Sequence, residues 1–373
     1  MKFSITQSEF TEIVQTAIGT VPTKSTLPIL STLLVEAAQG RLSFTATDLD
    51  ISVRTGVECE VSEEGRVCLP ARRLAEIVRE LPAAKVDVSV DRNKAVLQCG
   101  KGRYQILGMD PDDFPKLPEV STERQVKLDT EVLRKMIRRS IYAVSSDETR
   151  PMLNGVLVEL AEKTFGMVAT DGHRLAYVKR KQEVGKGKSG DIIVPPKALN
   201  QVMRLAGEET VQMGFAKNYA VFELGRTVVY CRLLEGPFPD YRQVVPKEHA
   251  IRISASRVEL VGAIKRVAVL ADQATKQIKM AFREGQVEIS TRTADVGEAV
   301  EEIPAQYGGE EMEIGFNANY LLDSLGTIEA EEVTFGATTS VAASVILPAE
   351  QEENEELLCL VMPVRLPEEV PVG

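Results

Sequence analysis

One succession of strand, helix and turn occurs three times along this 373-residue chain, and no other feature restricts the possible folds so severely. A short strand running into an amphipathic helix begins at Phe3 (FSITQSEFTEIVQTAI), again at Lys127 (KLDTEVLRKMIRRSIYAV) and again at Arg252 (RISASRVELVGAIKRVAV), at spacings of 124 and 125 residues. A second strand-to-helix passage reads CLPARRLAEIVREL from Cys68, IVPPKALNQVMRLA from Ile193 and IGFNANYLLDSL from Ile314. With Leu69, Val194 and Ile314 taken as equivalent, its spacings are 125 and 120. Between these passages, strands enter polar turns at FTATDLD (44–50), MVATDGH (167–173) and EISTRTA (288–294). Each string alone is common. Three sets in one order at one spacing make the chain three diverged copies of a unit of about 120 residues.

Alternating apolar residues mark strands within each copy, as at Leu33–Val35, Val86–Val90, Val156–Val158, Val228–Cys231 and Val287–Ile289. Helix starts are signalled by Thr6 and Ser8, by Asp129, and by Ser254 or Ser256. Two helices against many strands in each copy predict an α+β class, with antiparallel sheets covered on one face by a helix pair. Proline-rich segments at 110–120 and 235–248 put the copies at 1–122, 123–247 and 248–373.

Net charge is −11, from 44 basic and 55 acidic residues, which as a plain total argues against a polyanionic partner. Where the charge sits matters more. The predicted helices 8–18, 71–80, 130–143, 197–206, 256–270 and 317–328 carry −2, +1, +3, +2, +2 and −1. The helices therefore total +5 and everything else −16. Charged outer faces on amphipathic helices explain part of this. The alternative is a basic helical surface turned toward a polyanion, with acidic sheets facing away. Aromatic residues are only 5% of the chain, with no Trp, so stacking platforms for single strands are not expected.

Five widely spaced cysteines without a CxxC pair, and two histidines, give no disulfide framework and no metal site. The N-terminus MKFSITQSEF does not read as a secretory signal and no run of apolar residues is long enough to span a membrane, so a cytoplasmic protein is expected.

Two strings invite a catalytic reading. GKGKSG (185–190) has the letters of a dinucleotide-binding turn, but the strand DIIVPP follows where a helix is required. Gln182 also stands where a phosphate loop would need Gly, so no nucleotide and no other cofactor is expected. TDGHR (170–174) could pair Asp171 with His173 as orienter and base, the basis of an alternative reading as an α/β enzyme. No nucleophile motif lies near it, and Asp and Gly are favoured in turns, so an exposed binding turn is the better reading. The C-terminal LLCLVMPVRLPEEVPVG reads as a last core strand followed by Met362, Pro363, Val364 and Leu366 in a segment suited to a partner's peptide. A scaffold for peptide motifs without DNA is the third reading.

The opening MKF, TLPIL (26–30), ATDLDI (46–51), LPARRLAEIVRELP (69–82) and DFPKLP (113–118) occur together with five further strings. These are LNGVL (153–157), ATDGHRLA (169–176), FPDYRQVVP (238–246), GFNANYLL (315–322) and VMPVRL (361–366). The set resembles the bacterial DNA polymerase III sliding clamp, the beta subunit and processivity factor of the replicase, over essentially the whole chain. That resemblance implies the DNA-clamp fold, with three domains per chain and a head-to-tail homodimeric ring around duplex DNA. It implies no catalysis, and docking of polymerases, the clamp loader and mismatch-repair and other proteins through a peptide cleft.

Carried over residue by residue, the resemblance assigns the cleft to Leu153, Thr170, Gly172, His173, Arg174, Leu175, Pro239 and Val244. Asn317, Tyr320, Ser344, Val361, Met362, Pro363, Val364, Arg365 and Leu366 complete it. DNA contacts are implied for Lys24, Arg72, Arg73, Arg103 and Lys197, and the helix charges add Arg138, Arg139 and Arg204. The dimer seam would set Tyr104 and Ile106 against Val269 and Leu270, with Arg103 facing Glu298, Glu301 or Glu302. Gln243 and Thr275 depart from the family's usual Arg and large apolar residue, Ser146 and Asp147 suit phosphate less well than its usual residues, and PEEVPVG (367–373) is an acidic extension beside the cleft.

Overall fold

The computed structural model describes residues 1–118, 124–184, 190–207, 210–216, 218–246 and 251–366. The expected limits at 122 and 247, the GKGKS stretch and the PEEVPVG extension lie outside the described residues. Six α-helices form among those described: α1 (Gln7–Ile18), α2 (Ala71–Glu80), α3 (Thr130–Ile141), α4 (Pro196–Leu205), α5 (Arg257–Val267) and α6 (Ala318–Gly326). All six lie where the repeat put them, three ending two or three residues early. Thr6, not Ser8, caps α1 by accepting from the Glu9 amide, and Ser256, not Ser254, caps α5 in the same way. Asn317 stands outside α6 as its cap, accepting from the amides of Asn319 and Tyr320.

Among the described residues the strands, all antiparallel where they pair, form three sheets. A five-stranded sheet runs Glu60–Glu63, Lys2–Thr6, Lys85–Asp91, Lys94–Cys99, Gly102–Leu107, and ends on that last strand. In the eight-stranded sheet, Thr227–Arg232 of the second copy pairs with Ile51–Glu58 of the first. In the twelve-stranded sheet, Arg174–Lys181 of the second copy pairs with Glu355–Val361 of the third. The second copy thus gives half its strands to each of two sheets. Compactness follows the sheets: the chain forms two units, one chiefly Met1–Leu133 with Lys197–Leu233, the other chiefly Arg134–Val184 with the described chain from Leu234 onward.

One bridge at the edge of each copy fixes the internal register: Cys68 to Met109, Ile193 to Leu234, Gly315 to Val364. The partner of Leu69 and Val194 is therefore Phe316 and not Ile314, a correction of two residues. Helices bury their apolar faces as the spacing requires: Phe10, Ile13, Val14 and Ala17 in α1, Leu260, Ala263, Ile264 and Val267 in α5. In the first unit Phe10 meets Phe3 edge-on at 6.2 Å and Phe44 at 6.0 Å. Truncating such a ring to Ala costs about 3–5 kcal/mol. All five cysteines are free, and burial pushes the thiol of Cys68 up to about 11 and that of Cys231 up to about 12. Among the described residues, no helix is long and apolar enough to cross a membrane.

Candidate functional site

The turn between strands Thr164–Thr170 and Arg174–Lys181 in the second unit is held by its own side chains. Thr170 Oγ1 donates to the Arg174 carbonyl at 2.7 Å and accepts from the Gly172 amide at 3.1 Å. Asp171 Oδ1 accepts from the amides of His173 and Arg174, both at 2.9 Å. Gly172 has φ +91°, a conformation that L side chains rarely adopt, which accounts for Gly at the tip. Asp171 is thus consumed in holding the turn rather than orienting His173 as a base.

Arg174 turns beneath the tip. Its Nε lies 3.0 Å from Asp171 Oδ2 and a terminal nitrogen bonds Asp323 of α6. Its guanidinium carbon is 4.6 Å from the Tyr320 ring centre and 5.4 Å from that of Tyr142. The His173 ring stacks on Tyr320 at 6.3 Å and 19°. The C-terminal segment closes against both elements: the Met362 amide donates to the His173 carbonyl and the Val364 amide to the Gly315 carbonyl, each at 2.8 Å. Gly315 is required there, because a Cβ would lie 2.4 Å from the Val364 carbonyl oxygen. Arg365 contributes its carbonyl to Gln277, and Leu366 packs over Gly315.

Most of the expected cleft residues are thereby brought together, in differing roles. Leu175, Leu360 and Val345 form a buried apolar floor, edged by half-buried Met362, Phe238 and Val245. Leu153, Ser344 and Val361 are also buried, and Ser344 Oγ has no hydrogen-bond partner. Gly172, His173, Pro239 and Val244 are exposed, the last by 52%. Asn317 spends its amide on the α6 cap and the Thr275 carbonyl, and Gln243 pairs with Asp240. Tyr142 and Asp323 join the site beside the expected residues. Asp323 had a signal, standing one helical turn from Tyr320; Tyr142 had none.

Of the expected phosphate contacts, Lys24, Arg72, Arg73, Arg103 and Arg138 are exposed. Arg204 bonds the Thr16 carbonyl at 3.2 Å, and Lys197 is bound to Asp48. Arg139, expected at the phosphates, is instead enclosed. Its side chain is 5% exposed and ion-paired with Glu355, itself 1% exposed, and with Glu352. A guanidinium so enclosed and neutralised cannot meet a phosphate. Lys135 and Arg266 are likewise matched, by Glu329 with Glu352 and by Glu301, so the helical excess of +5 is partly cancelled on the spot. Asp147 is engaged by Thr149 and Arg150.

The strand Gly102–Leu107 ends its sheet, so its outer edge lacks a strand neighbour among the described residues. Tyr104 is exposed at that edge and so is Leu107, by 69%, whereas Ile106 is in the core at 5% and corrects the expectation that it lies in a seam. In the second unit, Gly297–Gln306 pairs along its length on one flank but only at Ala305 and Gln306 on the other. Exposed Val269, Val296 and Val300 belong to this region, with Glu298 and Glu302, while Glu301 is held by Arg266 at 2.6–2.7 Å.

Three copies of one helix-and-antiparallel-sheet unit, with Asp171 spent on holding the Thr170–Arg174 turn, match the fold of a DNA-clamp protein. Family comparison agrees along the chain: residues 1–118, 127–240 and 242–365 match the N-terminal, central and C-terminal domains of the DNA polymerase III beta subunit. The chain is 32% identical over 368 residues to the beta sliding clamp of Chlamydia muridarum, covering 98% of this chain and 99% of that one. Against the Bacillus subtilis beta sliding clamp the identity is 30% over 379 residues, covering 98% and 100%. A crystal structure of the Pseudomonas aeruginosa DNA polymerase sliding clamp with ligand superimposes with a TM-score of 0.94 at 30% identity, covering 98% and 100%. The chain belongs to the DNA polymerase III beta subunit family, the bacterial sliding clamps. It is a replication processivity factor and not an enzyme.

Proposed function

We propose that two copies of this chain close head to tail into a ring around duplex DNA in the cytoplasm. The ring tethers the replicative polymerase and docks the clamp loader and repair proteins through the Thr170–Arg174, α6 and Val361–Leu366 cleft. The observation that carries the ring is the pair of unlike open edges. Gly102–Leu107 offers Arg103, Tyr104 and Leu107; Gly297–Gln306 offers Glu298, Val300 and Glu302. Edges that differ must join heterologously, and such contacts either close into rings or run on as filaments. Opposite charge sets the register, although each exposed pair contributes only about 0–1 kcal/mol. The three domain-length matches support dividing the chain near 122 and 247. Exposed Lys24, Arg72, Arg73, Arg103 and Arg138 supply non-specific phosphate attraction, with Lys197 and Arg204 joining them when their local bonds yield.

A topological link is tested by loading the protein on a nicked circular plasmid with a clamp loader and ATP, then linearising the plasmid. A ring slides off the cut DNA. Retention after cutting would sink the proposal, because an ordinary DNA binder stays put, and so would failure to load. Cleft function is tested by deleting Val361–Leu366, which should abolish polymerase stimulation while leaving the dimer intact.

A further inference from the structure

The Arg174 side chain is 13% exposed, so its cation must be compensated by neighbours rather than by water. Asp171 supplies one carboxylate from the same turn. Everything else comes from behind the cleft: Asp323 of α6 bonds a terminal nitrogen, and the rings of Tyr320 and Tyr142 lie 4.6 and 5.4 Å from the guanidinium carbon. The Tyr142 hydroxyl also donates to Ser324 Oγ on α6 at 3.2 Å, a bond separate from the contact of its ring with the guanidinium. Tyr320 carries this arrangement to the surface, because the exposed His173 ring stacks on it.

We propose that Asp323 and Tyr142 are positioning residues for the peptide cleft: by holding Arg174 against the Tyr320 ring, they fix the Tyr320–His173 wall on which a partner's terminal apolar side chains rest. This inference depends on the cleft reading above. Asp323 needs no contact with the peptide. Without its carboxylate, one guanidinium nitrogen loses a charge-assisted hydrogen bond, and Arg174 turns toward water. The Tyr320 ring then loses its cation, and the wall loses its support. Tyr142 acts through its ring, so its hydroxyl should be dispensable.

The test is binding of a fluorescein-labelled short peptide ending in Leu-Phe to the full-length protein, followed by polarisation, with each variant's melting temperature as a control. Asp323→Asn should weaken binding about tenfold, the scale of one such bond, at little change in melting temperature because that carboxylate is half-exposed. Asp323→Glu should restore most of the affinity. Tyr142→Phe should bind like wild type and Tyr142→Leu should not. A double-mutant cycle supplies the readout that a general loosening would not move. Asp323→Asn should be non-additive with Arg174→Lys and additive with Val244→Ala, an exposed cleft residue outside the Arg174 contacts. If wild type binds and Asp323→Asn binds equally well, or the two cycles come out alike, the positioning role is overturned while the cleft stands. If wild type binds no such peptide, the cleft reading has failed and this inference with it.

Discussion

Replacing Arg139 with Met should be far more damaging than any surface charge change, and the reason is geometric. Its guanidinium bonds Glu355, lies 3.3 Å from Glu352 and donates at 3.4 Å to the Thr327 carbonyl. These contacts tie α3 to the strand Glu355–Val361 and to the end of α6, joining elements of the second and third copies within one unit. Removing one member of a buried ion pair costs about 3–5 kcal/mol, because the survivor stays desolvated. Glu355 would keep one cation, Arg180, with its nitrogen 3.5 Å from the second carboxylate oxygen. The expected loss is therefore near the low end, about 3 kcal/mol. Urea unfolding followed by circular dichroism measures it, fitted as two transitions because the chain has two units. Pairing Arg139→Met with Glu355→Leu should recover most of the loss, since neither enclosed charge then remains and Arg180, which loses Glu355, is 26% exposed and can turn to water. A single-variant cost below about 1 kcal/mol would refute the reasoning, because it would mean the pair behaves as an exposed one. Duplex binding supplies a second check: Arg138→Ala should flatten the salt dependence by about 0.9 in log–log slope, and Arg139→Met should leave it unchanged.

Gly172→Ala should destabilise the turn by about 1–2 kcal/mol and weaken peptide binding, since φ is +91° and the new Cβ would lie 3.1 Å from Arg150. Leu49→Gly should do the opposite at the matching position: Leu49 is 52% exposed at φ +82°, and relief of that strain, less the added chain entropy of Gly, should stabilise by about 0.5–1 kcal/mol. Urea midpoints of both variants check the pair together.

Periodicity made the helices legible, because the alternation of apolar faces and the caps is local chemistry written in neighbouring residues. What periodicity could not convey was which copy a strand would join. The pairings Val229 to Val53 and Tyr177 to Leu358 connect residues more than 170 positions apart, beyond the reach of any local pattern. Charge was legible as a sum and not as a map. Arg139 and Arg138 are adjacent and chemically identical, yet one is enclosed against Glu355 and the other exposed, a difference set by carboxylates about 215 residues away. Parity misled in a smaller way at the sheet edge: Ile106 opposite Ala95 faces the core, and Leu107 faces out.

The turn of the proposed cleft is built twice, and under that proposal the number of peptides one chain holds depends on what surrounds each turn. In the first unit Thr47 Oγ1 donates to the Ile51 carbonyl and accepts from the Leu49 amide, while Asp48 accepts from the amides of Asp50 and Ile51. The Arg232 amide donates to the Asp50 carbonyl at 2.8 Å, just as Met362 does to His173. The backbone is therefore equivalent, and the surroundings are not. Where the second unit has Arg174, the first has Ile51, buried in its core, and where it has His173 the first has Asp50. The edge bridges make Ala198 the counterpart of Tyr320, so no ring is available to stack, and Lys197 is bound to Asp48. A hydrogen-bonded turn alone offers an apolar side chain no wall to rest on, because affinity in such sites comes from a few enclosed aromatic and cationic anchors. A labelled peptide should accordingly titrate with one site per chain, and Ala198→Tyr should not create a second while Ile51 remains apolar. Two equivalent sites per chain by calorimetry would show that the turn, and not the Arg174–Tyr320–His173 stack, is what recognises the ligand.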